Sequence, residues 1–96
     1  MTTDNIISCC NIAKHYGYDS QSRQLIEEMA ELTHAINRHW RNGCGKETEA
    51  NVIEEIADVE ICLLQIKFLL QCGTKVQQVQ DIKIKRQLDR IEKNER

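Results

Sequence analysis

Four carboxylates stand out by residue type and spacing. Glu28 and Glu31 lie three residues apart in LIEEMAEL, and Glu55 and Asp58 lie three apart in VIEEIADV, where the same phrase returns 27 residues later. Residues three apart on a helix are neighbours about one turn apart, so each pair can share or chelate one ion. The apolar letters supply a frame: Leu25, Met29, Leu32 and Ile36 recur at steps of four and three, as do Val52, Ile56, Val59, Leu63, Ile66 and Leu70. That period belongs to amphipathic helices. At 100° per residue, Glu28 and Glu31 fall roughly 70° and 130° to one side of their stripe, and Glu55 and Asp58 about 60° and 120° to the same side of theirs.

A short loop around Asn42-Gly43-Cys44-Gly45 makes the two helices antiparallel neighbours, and in such a pair like flanks face each other. Glu28 with Asp58, and Glu31 with Glu55, are both centred on Gly43. The repeat is therefore expected to bring four carboxylates to one level of a helical hairpin, on the order of 18 Å from its turn. Four acids so close repel one another by a few kcal/mol per adjacent pair at the effective dielectric near a protein surface, so a cation must offset them. An all-oxygen donor set without convergent Cys or His suits a hard ion, Mg²⁺ or alternatively Mn²⁺, better than zinc or copper. Glu27 and Glu54 point farther from the seam and are expected at the surface or behind the site.

Mg²⁺ on few carboxylates and several waters commonly serves to bind substrate phosphates. Toward the C-terminus Lys83, Arg86 and Arg90 form a basic stripe about 120° from the apolar stripe Ile84, Leu88 and Ile91. Such a stripe can neutralise phosphate oxygens, although charge at this spacing is also the ordinary pattern of a solvated face. An acidic site and a basic stripe together point to a polyphosphate substrate.

The run of Glu27, Glu28 and Glu31, followed after 23 residues by Glu55 and Asp58, resembles the EExxE and ExxD signature of the MazG-like all-α nucleoside triphosphate pyrophosphohydrolases. The likeness covers roughly residues 20 to 91. It implies a MazG-like helical fold and hydrolysis of a (d)NTP between the α and β phosphates to a (d)NMP and pyrophosphate, a reaction suited to cleansing the nucleotide pool. Carried onto this chain, it makes Glu28, Glu31, Glu55 and Asp58 both the Mg²⁺ ligands and the catalytic carboxylates, with Lys83 and Arg86 steadying phosphate oxygens. Family members that prefer pyrimidines hold the base with aromatic residues, which are few here. Trp40, one turn beyond Ile36, is a candidate to stack on a base or to cap the hairpin end of the core, and His34, Asn37 and Arg38 are placed to read a base or sugar.

The element pattern agrees with that frame. No proline, four glycines and many helix-forming residues predict an all-α chain. Four helical segments are expected: Asp4 to Tyr16, closed by Gly17; a second capped by Asp19 or Ser20; a third from near Glu47 or Thr48 to Gly73; and a fourth started by a capping box of Thr74 and Gln77. The charged C-terminal residues are expected to fray. The third segment has a second apolar set, Ile53, Ala57, Leu64 and Phe68, so one partner helix cannot cover it. In a chain of 96 residues, one domain over 1–96, this predicts a bundle of about four helices whose core is completed by a second subunit, in a homodimer or homotetramer.

A net charge of −2 argues against nucleic-acid or membrane partners. Charge is nonetheless uneven: nine acids against four bases from Ser20 to Glu60, then seven bases against four acids from Lys75 to Arg96. The longest apolar run, around Ile61 to Cys72, is broken by Lys67 and too short to span a bilayer. Five cysteines without CxxC spacing suit reduced thiols in a cytoplasmic protein, mostly serving as small apolar residues. Two rival functions remain at this point. Glu31 with His34 reads as the ExxH of a di-iron bundle, but the matching element is Asp58-Val59-Glu60-Ile61, without its imidazole. The repeat could also be a pseudo-symmetric hairpin in a non-enzymatic dimerisation or interaction module.

Overall fold

A computed structural model describes residues 1–94 and contains helices and no strands among them. Three helices follow in order: α1 (Thr3–Arg41), α2 (Lys46–Leu70) and α3 (Gly73–Glu92). Of the C-terminal residues expected to fray, Glu95 and Arg96 lie outside the described residues.

The first two expected segments run on from one another within α1. Gly17 adopts φ 83° and ψ 171°, a non-helical geometry that glycine tolerates, so two helical stretches meet there across a kink, where the sequence places the break. The helix resumes at Tyr18, so Asp19 and Ser20 lie inside α1 rather than at a cap. Thr2 caps its start, its Oγ1 accepting from the Asn5 N–H at 3.1 Å. The end of α1 matches expectation: Gly43 takes φ 69°, Gly43 N–H donates to the Trp40 carbonyl, and Cys44 N–H to that of His39. That is the bond pattern of a Schellman closure.

α2 closes in the same way two residues before the sequence suggests. Gln71, not Gly73, takes the left-handed conformation (φ 53°), with Gln71 N–H donating to the Phe68 carbonyl and Cys72 N–H to that of Lys67. Gly73 is thereby released to become the first residue of α3. The Thr74 and Gln77 capping box does not form, because α3 begins at Gly73 and its start has no side-chain cap.

α1 and α2 form the antiparallel hairpin. Its seam is rotated from the expected stripes toward the acidic flank. On α1 the covered positions include Gln21, Leu25, Glu28, Leu32, Ala35 and His39; on α2 they include Thr48, Val52, Glu55, Asp58, Val59, Cys62, Gln65 and Ile66. Met29, Ile36, Ile56, Leu63 and Leu70 are 40–53% exposed. Each helix has more apolar surface than one neighbour covers, and the hairpin uses the side that carries Glu28 and Glu55.

Polar side chains fix the register of this seam. Gln21 Nε2 donates to Gln65 Oε1 at 2.6 Å, both residues being buried, and Gln65 Nε2 donates to the Cys9 carbonyl at 3.3 Å. The second bond ties the part of α1 before Gly17 to α2, as does Lys14, whose Nζ lies 5.6 Å from the centre of the Phe68 ring. At the turn, His39 Nδ1 and Thr48 Oγ1 are 2.8 Å apart, and the Thr48 hydroxyl donates to the Gly45 carbonyl at 3.1 Å. Only Cys9 and Cys62 of the five free cysteines are buried.

α3 packs marginally on α2 and not on α1. It buries none of its residues, and Ile82, Ile84, Leu88 and Ile91 are 55–72% exposed. The radius of gyration is 16.3 Å, against about 12 Å for a compact chain of this length. The accessible surface is 7773 Å², against about 5,700 Å² for a compact monomer of this mass.

Candidate metal centre

The rotated seam brings the acids of the repeated phrase together. Carboxylate oxygens of Glu28, Glu31 and Glu55 all lie within 4.8 Å of one another. Asp58 stands beside Glu28, and Glu31 beside Glu55. These are the pairs centred on Gly43, and the Gln21–Gln65 bond, two turns away, has the same centre.

The surroundings oppose full ionisation. Burial raises the Glu28 carboxyl above its ordinary value; a hydrogen bond from Gln24 works against this, and the charges of Glu31 and Asp58 work with it. Burial likewise raises Glu55, followed by the charges of Glu31, Asp58 and Glu28. No basic side chain acts on either acid among the described residues. Glu28 Oε2 and Glu55 Oε2 are both buried without a hydrogen-bond partner. Buried polar atoms ordinarily have one, and orphaned oxygens of clustered acids fit an ion that they would share. The donor set is all oxygen, as a hard divalent cation requires.

Two neighbours of the cluster are absent from the sequence-level site. Gln24 Nε2 donates to Glu28 Oε1 at 2.7 Å; its signal is an amide four residues before Glu28, one turn back on the same face. Cys62, 6% exposed and one turn beyond Asp58, is raised by burial and then by the charges of Glu28 and Asp58, so it lies beneath the carboxylates as a neutral thiol. Nothing in its spacing distinguished it from the other cysteines.

Other candidates lie apart from the acids within one copy. Lys83 and Arg86 are exposed on α3, which does not pack on α1. His34 is exposed and outside the acidic group, so Glu31 and His34 do not form a joint ligand pair here. Trp40 is 74% exposed and does not cap the hairpin end of the core. Asn37 and Arg38 are also exposed, as are Glu27 and Glu54. No helix among the described residues is long and apolar enough to cross a membrane.

No curated protein and no solved structure matches the chain. A family model does match, over residues 16–96, which includes both acidic pairs, the turn and α3. With the acidic hairpin that the repeated phrase builds, that match establishes that the chain belongs to the MazG nucleotide pyrophosphohydrolase domain family.

Proposed function

We propose that the protein is a Mg²⁺-dependent nucleoside triphosphate pyrophosphohydrolase that converts a (d)NTP to a (d)NMP and pyrophosphate, with Mn²⁺ able to substitute. The observation that carries this is the convergence of Glu28, Glu31, Glu55 and Asp58 from two helices, with two buried oxygens left without partners. These four residues would hold the ion. When bound, a divalent ion of this kind offsets phosphate charge and lowers the pKa of a coordinated water. The carboxylates hold their positions because Glu28 and Glu55 lie in a seam whose register is set elsewhere, and one of the four orients the attacking water and accepts its proton. Positioning of this sort supplies most of the catalysis in phosphoryl-type displacements.

Cationic help for the phosphates comes from Lys83 and Arg86 in this proposal, and it requires a second copy. α3 leaves its own hairpin uncovered while carrying an exposed apolar face beside that basic stripe. The surface in excess of a compact monomer, about 2,000 Å², exceeds the roughly 800 Å² per partner of a standard interface. A homodimer or homotetramer in which α3 covers a neighbouring hairpin would satisfy both the apolar face and the unbalanced acids. Trp40 and His34, exposed beyond the acidic level, are the residues proposed to meet the base or sugar. The biological setting proposed is cleansing of the cytoplasmic nucleotide pool.

The test is pyrophosphate release from a panel of standard and modified nucleoside triphosphates with Mg²⁺ or Mn²⁺. Turnover of at least one nucleotide is expected, lost on Glu55→Gln. Failure to turn over any of them with either metal would leave the hairpin as an interaction module.

A further inference from the structure

We propose that Gln24 is a positioning residue that fixes which oxygen Glu28 presents to the metal; this rests on the metal reading above. Glu28 has two chemically equivalent oxygens with unlike surroundings. Oε1 accepts from Gln24 Nε2 at 2.7 Å, a bond made across one helical turn, while Oε2 is buried and unpartnered. With Oε1 held, rotation of the carboxylate about its last torsion is restricted, and Oε2 stays the oxygen left for an ion. That torsion is otherwise broad and soft.

The repeat provides an internal comparison. The phrase that begins at Leu25 is preceded by Gln24, and the phrase that begins at Val52 is preceded by Asn51, so both copies carry an amide four residues before the second glutamate. Asn51 is one methylene shorter and makes no such bond to Glu55 among the described residues. Reach, not merely polarity, separates the two positions. Glu28 is therefore the pre-set ligand of the site, and Glu55 is free to adjust when the ion and its waters enter.

The test uses the full chain and Mn²⁺ itself, titrated against wild type, Gln24→Met and Gln24→Asn, with free Mn²⁺ read by electron paramagnetic resonance. Gln24→Met keeps the length and removes the donor; Gln24→Asn keeps the donor and removes the reach. Both are expected to weaken Mn²⁺ binding about tenfold, the low end for outer-shell partners because this bond is exposed to solvent. Melting temperatures without metal should stay at the wild-type value, since Gln24 is exposed. Either variant binding Mn²⁺ within twofold of wild type would overturn the positioning role, as would a loss of affinity matched by a lowered metal-free melting temperature. A wild type that binds no Mn²⁺ would overturn the metal reading itself, and this inference with it.

Discussion

Gln65→Met tests whether the register of the acidic hairpin is set by a buried amide pair. Gln65 is 2% exposed and holds two bonds, to Gln21 and to the Cys9 carbonyl. Methionine matches its length and removes both. The Cys9 carbonyl lies inside α1, where the helical ladder already uses it, so its loss is small. Gln21 is different: 7% exposed, it would keep a buried amide donor with nothing to receive it, which costs about 1–3 kcal/mol. About 2 kcal/mol in a chain of this size lowers the melting temperature by roughly 10 °C. The assay is thermal unfolding at one fixed protein concentration, so that association does not enter the comparison. The double variant Gln21→Met/Gln65→Met should recover most of the loss, because replacing both partners by apolar groups of similar shape is nearly neutral. A single variant that melts within about 3 °C of wild type, or a double variant as unstable as the two singles added, would refute the register lock.

Three further outcomes follow from the same geometry. Glu28 and Glu55 have folded-state pKa values raised above 4.5, so the folded protein binds more protons than the unfolded chain between those values. Metal-free stability should therefore rise as pH falls from neutral through the raised values and level off near 4.5, and Glu28→Gln should flatten the rise; denaturant midpoints against pH would show this. Gly17→Ala should destabilise by about 1–3 kcal/mol through backbone strain at φ 83°, since nothing lies within 4 Å of the added Cβ, and denaturant unfolding measures it. Leu88→Asp should lower the sedimenting mass to that of one chain and abolish pyrophosphate release together; a wild type already monomeric at micromolar concentration would contradict the shared site.

Much of the hairpin was legible because the repeat encodes it twice. Spacing placed the turn at Gly43 and paired Glu28 with Asp58 and Glu31 with Glu55, and the structure has those neighbours. The rotation of the seam was not legible. α2 is apolar around much of its circumference, and periodicity does not say which side the hairpin covers; burial of Val59 and Cys62 with exposure of Ile56 and Leu63, which splits one apolar set, is settled by packing. The same ambiguity hid α3, whose clear stripe of Ile84, Leu88 and Ile91 is exposed in one copy. Glycine punctuation succeeded at Gly17 and Gly43 and misled at Gly73, where Gln71 accepted the left-handed conformation two residues earlier. Gln21 and Gln65 passed as ordinary surface amides because burial of a polar residue is a tertiary property.

Metal binding by the four carboxylates is tested most directly by the melting temperature of wild type and Asp58→Asn across a Mg²⁺ titration. Wild type should melt higher as Mg²⁺ is added, while Asp58→Asn should start at or above the metal-free wild type, relieved of repulsion, and show no response. A wild type indifferent to both Mg²⁺ and Mn²⁺, or a variant that responds as wild type does, would contradict a metal site built from the repeated phrase.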